Sequence, residues 1–347
     1  MKTLAAVLNE INEKLELRNL DIPRLKRGQV LVEISYSSIC HSQLNEIKGK
    51  KGEDKFLPHT LGHEGSGKVL KIGAGVTKVS KNDHVVLTWI KGEGIDSGGC
   101  IYKSSERNIN SGPISTFLKV AVISENRLVK IPKNFPLIEA CMLGCAIPTG
   151  AGIVFNNSNI KKSDSIAIFG CGGIGLSSIM ASKAKGIRKI IAIDINRKKL
   201  AIAKDFGASD CLIYEPKKNL NQILKLNNDN GLDYSIDATG ITEVINLAIR
   251  SLNNSGQFIL AGNPSHGDLI KVNPYDLISG KKLTGTWGGE TLPDVDIKKY
   301  IKLIKEGKIP SKKYLSKPYK LKDINIALSD FENGKVLRPI IDMKLED

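Results

Sequence analysis

Three short runs of the 347-residue chain carry groups that could hold a soft metal ion: Cys40 in SSICHSQ, His63 in LGHEGSG and Cys145 in CMLGCAIPTG. Singly, a cysteine is usually a small buried apolar residue and a histidine merely a satisfied polar one. As a set, two thiolates and an imidazole suit zinc. Three protein ligands leave a fourth position open to water or substrate, the mark of a catalytic rather than a structural site. Such an ion lowers the pKa of a hydroxyl and polarises a carbonyl. A second constellation runs from Ser165 to Asp194, SIAIFGCGGIGLSSIMASKAKGIRKIIAID. Gly170, Gly172 and Gly175 fall as G-x-G-x-x-G between a strand-like apolar run and a helix-forming stretch, and Asp194 lies 19 positions beyond Gly175 (194 − 175). The first glycine permits a tight turn, the second close approach of a pyrophosphate, and the third packing of helix on strand. The start of the helix then faces phosphate, and Asp194 can accept from an adenosine ribose. Gly170, Gly172, Gly173, Ile174 and Gly175 are therefore the expected cradle of a dinucleotide, NAD.

The elements that must position these groups change character along the chain. Residues 1–146 read as β-rich, with strands expected at 29–35, 67–72, 84–88 and 117–122 and turn residues between them, which suggests a barrel-like domain. Residues 147–287 alternate strand and helix, the pattern of a doubly wound parallel sheet. The last stretch, 288–347, holds two helical patterns and a closing strand. It is too short for a core of its own and is expected to return to the first domain. The length fits about two domains, and a hydrophobic content of 41% supplies a sizeable core. No run is apolar and long enough to span a membrane and the N-terminus lacks a signal's apolar centre, so a cytoplasmic location is expected. The net charge of +15 comes from scattered lysines without a nucleic-acid motif, and points to a solvated basic surface rather than to nucleic acid. Six cysteines spread over this length argue for thiols that are buried or bound to metal, not for a disulfide framework.

The run Gly62, His63, Glu64, two residues, Gly67, five residues, Gly73, two residues, Val76 is specific. With it, the chain resembles the zinc-containing alcohol dehydrogenases of the medium-chain dehydrogenase/reductase superfamily over essentially its whole length. The resemblance implies an α/β protein: a GroES-like catalytic domain over 1–146, a Rossmann NAD-binding domain over 147–287, and a return to the catalytic domain over 288–347. It implies Cys40, His63 and Cys145 as ligands of one catalytic zinc, with Glu64 behind the metal as an outer carboxylate or alternate ligand. Ser42 would hydrogen-bond the substrate oxygen and Trp89 would wall the pocket. His41 and Arg338 would contact the cofactor pyrophosphate, Thr149 the nicotinamide and Lys199 the adenosine ribose. The expected substrate is a small alcohol or the matching carbonyl. A polyol or sugar dehydrogenase, or a catalytically silent protein on this fold, are the alternatives, and a homodimer or homotetramer is implied. The chain departs from the family's better-known pattern in three places. Cys100 stands alone in KGEGIDSGGCIYKSSERNINSG, where four cysteines often hold a structural zinc. Gln43 stands where many members have the aspartate that supports the ligand histidine, and Asn45 where many have a histidine ending a proton relay.

Overall fold

The run QVLVEISYSS is rich in β-branched and apolar residues and forms the longest strand of the protein, Gln29–Ser38, with nearly every side chain buried. The computed structural model that shows this describes residues 1–157 and 159–345. Strand Gln29–Ser38 pairs antiparallel with Glu64–Ile72, Val120–Ser124 and Ile340–Asp342. The same seven-stranded sheet includes His84–Thr88, Leu128–Ile131 and Tyr319–Lys320. Beside it, Lys2–Leu8, Glu16–Asp21, His59–Thr60, Cys100–Lys103 and Asn108–Ser111 close into a barrel. Val30, Val32, Ile34, Val69, Leu87 and Phe117 belong to the shared apolar core.

The lobe around Cys100 is fastened to this body by hydrogen bonds from one short segment. Glu125, 1% exposed, accepts from the backbone N–H of Ile95 (2.8 Å) through one oxygen, and from those of Thr77 (2.7 Å) and Lys78 (2.8 Å) through the other. On either side, Ser97 N–H donates to Ser124 Oγ (2.9 Å) and Gly92 N–H to the Asn126 carbonyl (2.8 Å).

The chain divides into two compact units: 1–145, 292–301 and 311–347 in one, 146–291 and 302–310 in the other. The second unit thus runs four residues beyond the boundary expected at 287, and it also takes 302–310 from the segment expected to return to the first. The extension has a packing cause. Thr291 Oγ1 donates to the Pro148 carbonyl (2.9 Å), and a Cβ on Gly152 would lie 2.8 Å from the carbonyl carbon of Gly289, so 288–291 sits directly on the helix Ala146–Phe155.

The second unit is a six-stranded sheet of parallel pairs. Its order is Asp210–Ile213, Lys189–Asp194, Ser165–Phe169, Leu232–Asp237, Leu252–Leu260, Lys282–Gly285. In chain order these strands read 3-2-1-4-5-6, the doubly wound arrangement whose switch point lies beside the first strand. Phe169, Ile191, Ile193, Ile245, Ala248 and Phe258 form its core. Two of the strands expected in the first domain begin elsewhere: 67–72 starts at Glu64 and 117–122 is paired over Val120–Ser124, while in the second unit the last long strand extends back to Leu252. Among the described residues, no single helix is long and apolar enough to cross a membrane.

Candidate functional site

Each of the three metal-ligating candidates is delivered by a different segment of the first unit. Cys40 follows the end of strand Gln29–Ser38 and stands at the N-cap of the helix His41–Ile47, with extended backbone (φ −102°, ψ 153°). His63 lies between Gly62 and strand Glu64–Ile72. Gly62 has φ +93°, and a Cβ there would come within 2.8 Å of the Phe117 nitrogen, so only glycine admits this turn. Cys145 ends a 3-10 turn, Cys141–Gly144, that packs against Glu64 and Leu87. Thr88 Oγ1 fixes the turn by donating to the Gly144 carbonyl (2.8 Å).

One ligand atom from each of Cys40, His63 and Cys145 lies within 4.8 Å of the others. The two Sγ atoms are 4.0 Å apart and not joined in a disulfide. With arms of about 2.3 Å, the edge of a tetrahedral zinc–thiolate site is roughly 3.8 Å, so the donors are spaced for that ion. The Cys145 thiol and the nearby Arg338 and His63 hold the Cys40 thiol well below its usual range against the opposing effect of burial, which favours the thiolate a metal needs. His63 Nδ1 is hydrogen-bonded to the Gln43 side-chain amide, and its Nε2 is buried without a hydrogen-bond partner among the described residues. Nε2 is therefore the nitrogen left for a metal. Trp89 stands edge-on to the His63 ring, centroids 6.5 Å apart.

Glu64 is fully buried and falls outside the cluster of ligand atoms, in ion pair with Arg338. Its carbonyl accepts from Ser37 Oγ (3.2 Å) and Thr116 Oγ1 (3.1 Å). Arg338 is 2% exposed and donates through Nε to Ser38 Oγ (2.8 Å), and burial lowers its pKa. The guanidinium marked in the sequence for pyrophosphate thus has the carboxylate behind the metal ligands as its partner. Ser42 is partly buried in the first turn of His41–Ile47, and Asn45 lies in the same helix. His41 is exposed, its ring edge-on to Phe331 at 5.7 Å.

In the second unit the glycines behave as their spacing requires. Gly170 has φ +92°, a Cβ on Gly172 would meet nothing within 4 Å, and one on Gly175 would press on Gly170. Gly173 and Ile174 open the helix Gly173–Lys185. Gly172 thus leaves open backbone at a helix start, a cradle that fits a pyrophosphate. Asp194 accepts from the N–H of Cys171 (2.7 Å) through one oxygen and from that of Asn196 (2.8 Å) through the other, so it also braces the turn. Lys199 is in the first turn of Arg197–Asp205, and Thr149 is buried in Ala146–Phe155.

Cys100 is buried apart from either group of candidate metal donors found among the described residues, and burial pushes its thiol up to about 11. Sequence reasoning missed the second group, Glu46, Asp54 and His59. These groups already have partners: His59 Nε2 lies 2.8 Å from Asp54, its Nδ1 faces the Thr60 carbonyl at 3.3 Å, and Glu46 pairs with Lys51 at 2.6 Å. Sequence reasoning also missed what Gln43 does. The signal was its place three residues after an N-cap, where a side chain reaches back.

Fold and site define a class, the zinc-dependent oxidoreductases that pass hydride between an alcohol or its carbonyl and NAD. Residues 26–133 match the alcohol dehydrogenase GroES-like domain, and residues 173–306 the zinc-binding dehydrogenase domain. The S-(hydroxymethyl)glutathione dehydrogenase of a Synechocystis species is 30% identical, with 98% of this chain and 100% of that protein aligned; that of Saccharomyces cerevisiae is 29% identical over 98% and 96%. Among solved structures, an alcohol dehydrogenase zinc-binding domain protein from Burkholderia ambifaria superposes with TM-score 0.91 at 28% identity. Benzyl alcohol dehydrogenase from Acinetobacter calcoaceticus does so with 0.88 at 29%, each covering 99% of both chains. The chain belongs to the zinc-containing alcohol dehydrogenase family of the medium-chain dehydrogenase/reductase superfamily.

Proposed function

We propose that the enzyme oxidises a small alcohol, or reduces the matching carbonyl, with a single zinc per chain held by Cys40, His63 and Cys145. The observation that carries this reading is the 4.0 Å spacing of two thiol sulfurs beside a histidine Nε2 that makes no hydrogen bond among the described residues. When bound, zinc acts as a Lewis acid toward the substrate oxygen, and NAD accepts or donates the hydride. The chain's own groups do the rest. Ser42 holds the substrate hydroxyl and passes its proton toward solvent, with the exposed His41 as the next group and Asn45, an amide, unable to take part. Trp89 walls the pocket. The Glu64–Arg338 pair keeps a buried carboxylate neutralised behind the ligands. The turn Gly170–Gly175 takes the pyrophosphate, Thr149 serves the nicotinamide, and Lys199 and Asp194 serve the adenosine ribose. Asp194 favours NAD, since it would repel a 2′-phosphate. The relatives named for S-(hydroxymethyl)glutathione and benzyl alcohol support an alcohol as substrate, and Cys145 as third ligand weighs against a polyol dehydrogenase.

A homodimer or homotetramer is supported by exposed Leu269, Tyr275, Ile278 and Trp287 around the edge strand Lys282–Gly285. Six cysteines outside any disulfide among the described residues support a reducing, cytoplasmic setting. Elemental analysis tests the central claim. One zinc per chain is expected, lost together with activity in Cys145→Ser and retained in Cys100→Ser. Two zincs, or metal loss in Cys100→Ser, would refute it.

A further inference from the structure

The support of the ligand histidine is an amide placed between two groups that make incompatible demands once a metal binds. Gln43 is 1% exposed. Its Oε1 accepts from the backbone N–H of Cys40 (2.8 Å), and its other end faces His63 Nδ1. The Cys40 N–H cannot change its role. It belongs to the fixed, extended N-cap of the helix His41–Ile47, so it is always a donor. Gln43 must therefore present its oxygen to Cys40, which leaves its NH₂ as the group that meets the imidazole. An amide has one acceptor end only.

An NH₂ facing Nδ1 requires Nδ1 to accept, so in the metal-free protein the one proton of a neutral His63 sits on Nε2. A metal binds at Nε2, which moves that proton to Nδ1 and makes Nδ1 a donor. Two donors then face each other. The contact can be repaired only by turning the Gln43 amide over, and that sets its NH₂ against the Cys40 N–H, on the residue that carries another ligand. A carboxylate at position 43 would accept from both and meet no conflict in either state.

We propose that Gln43 is a positioning residue that opposes metal uptake. It locks His63 in the tautomer with its proton on Nε2, and so makes the zinc of this enzyme weakly held and readily exchanged. The proposal rests on the three-ligand zinc site argued above. Outer partners of ligating histidines commonly alter metal affinity by about 10–100-fold, and the effect here should be of that size.

The test measures proton position and metal affinity, neither of which needs turnover. Imidazole ¹⁵N NMR of the metal-free protein is expected to show His63 protonated on Nε2, and zinc addition to move the proton to Nδ1. Gln43→Glu keeps the length of the side chain and supplies two acceptors. It is expected to place the proton on Nδ1 before any metal is added and to hold zinc at least about 10-fold tighter in competition with a colorimetric chelator. Gln43→Asp serves as the second variant should the longer carboxylate fail to fold. Nδ1 protonation in the metal-free wild type, or carboxylate variants that hold zinc no tighter, would overturn the role of Gln43 and leave the zinc site standing. Undiminished zinc binding by Cys145→Ser would overturn the site and this inference with it.

Discussion

Gly144→Ala should disable the metal site without touching a ligand. A Cβ at this position would lie 2.7 Å from Glu64 Cβ and 2.8 Å from Glu64 Cα, and would overlap the Leu87 carbonyl. Ordinary carbon contacts are about 3.5–4.0 Å, so something must move by roughly 1 Å. Glu64 and Leu87 cannot readily yield. They lie on paired strands, with Gly65 opposite Leu87, and Glu64 is fully buried. The turn Cys141–Gly144 must move instead and carry Cys145 with it. Overpacking of this kind costs about 1–3 kcal/mol, which for domains of this size corresponds to a fall in Tm of about 3–10 °C. The effect on metal should be larger in proportion, because a metal site tolerates errors of only about 0.2 Å in its ligand distances. Zinc affinity is expected to drop at least about 10-fold. Calorimetry of the metal-free protein and chelator competition of the loaded one separate the two effects. Wild-type Tm and zinc affinity in Gly144→Ala would show that the close packing of this turn does not place the third ligand.

Arg338→Met should cost about 3–5 kcal/mol by stranding the buried Glu64 charge, and adding Glu64→Gln should recover much of the loss in urea denaturation; no recovery would mean the arginine acts through packing alone. Asp194→Ala should narrow the preference for NAD over NADP in kcat/KM, and an unchanged ratio would remove that carboxylate from cofactor choice. Asn45→His should alter the pH dependence of alcohol oxidation, whereas an unaltered profile would place position 45 off the proton path. Burial alone would raise the pKa of Glu125, but hydrogen bonds from Ile95, Lys78 and Thr77 outweigh it and hold the carboxylate below its usual 4.5. Its stabilisation is present above that value and is lost as pH falls through the lowered one. Tm followed from pH 7 to 3 should therefore drop less steeply in Glu125→Gln than in wild type, and parallel curves would count against the role.

What was legible in the sequence was chemistry confined to a contiguous stretch. The turn from Gly170 to Gly175 states its own geometry through its spacing: Gly170 takes φ +92° and a Cβ on Gly175 would press on Gly170. The run from Gly62 to Val76 marks the turn into His63 by a glycine at φ +93°, although the atoms that exclude a Cβ there belong to Thr116 and Phe117. What was not legible depends on distant partners. Nothing near Arg338 says that it will meet Glu64, since only the pairing of Ile340–Asp342 with Gln29–Ser38 brings the end of the chain to the ligands. The segment 252–256, LNNSG, has little intrinsic strand preference and is paired because Leu252 registers against Leu232. The boundary near 291 was misplaced because small residues, Gly152 and Gly289, let 288–291 settle against a helix begun 142 residues earlier (288 − 146).

The bonds that Ser124, Glu125 and Asn126 make to the segment 92–97 separate two kinds of durability that a second metal would have joined. A lobe clasped by four thiolates around a zinc depends on that ion, which a chelator removes. Here the clasp is a carboxylate with hydrogen bonds beside it, which holds no metal for a chelator to take and which acid weakens. None of these bonds involves Cys40, His63 or Cys145, so emptying the three-ligand site would leave this clasp in place.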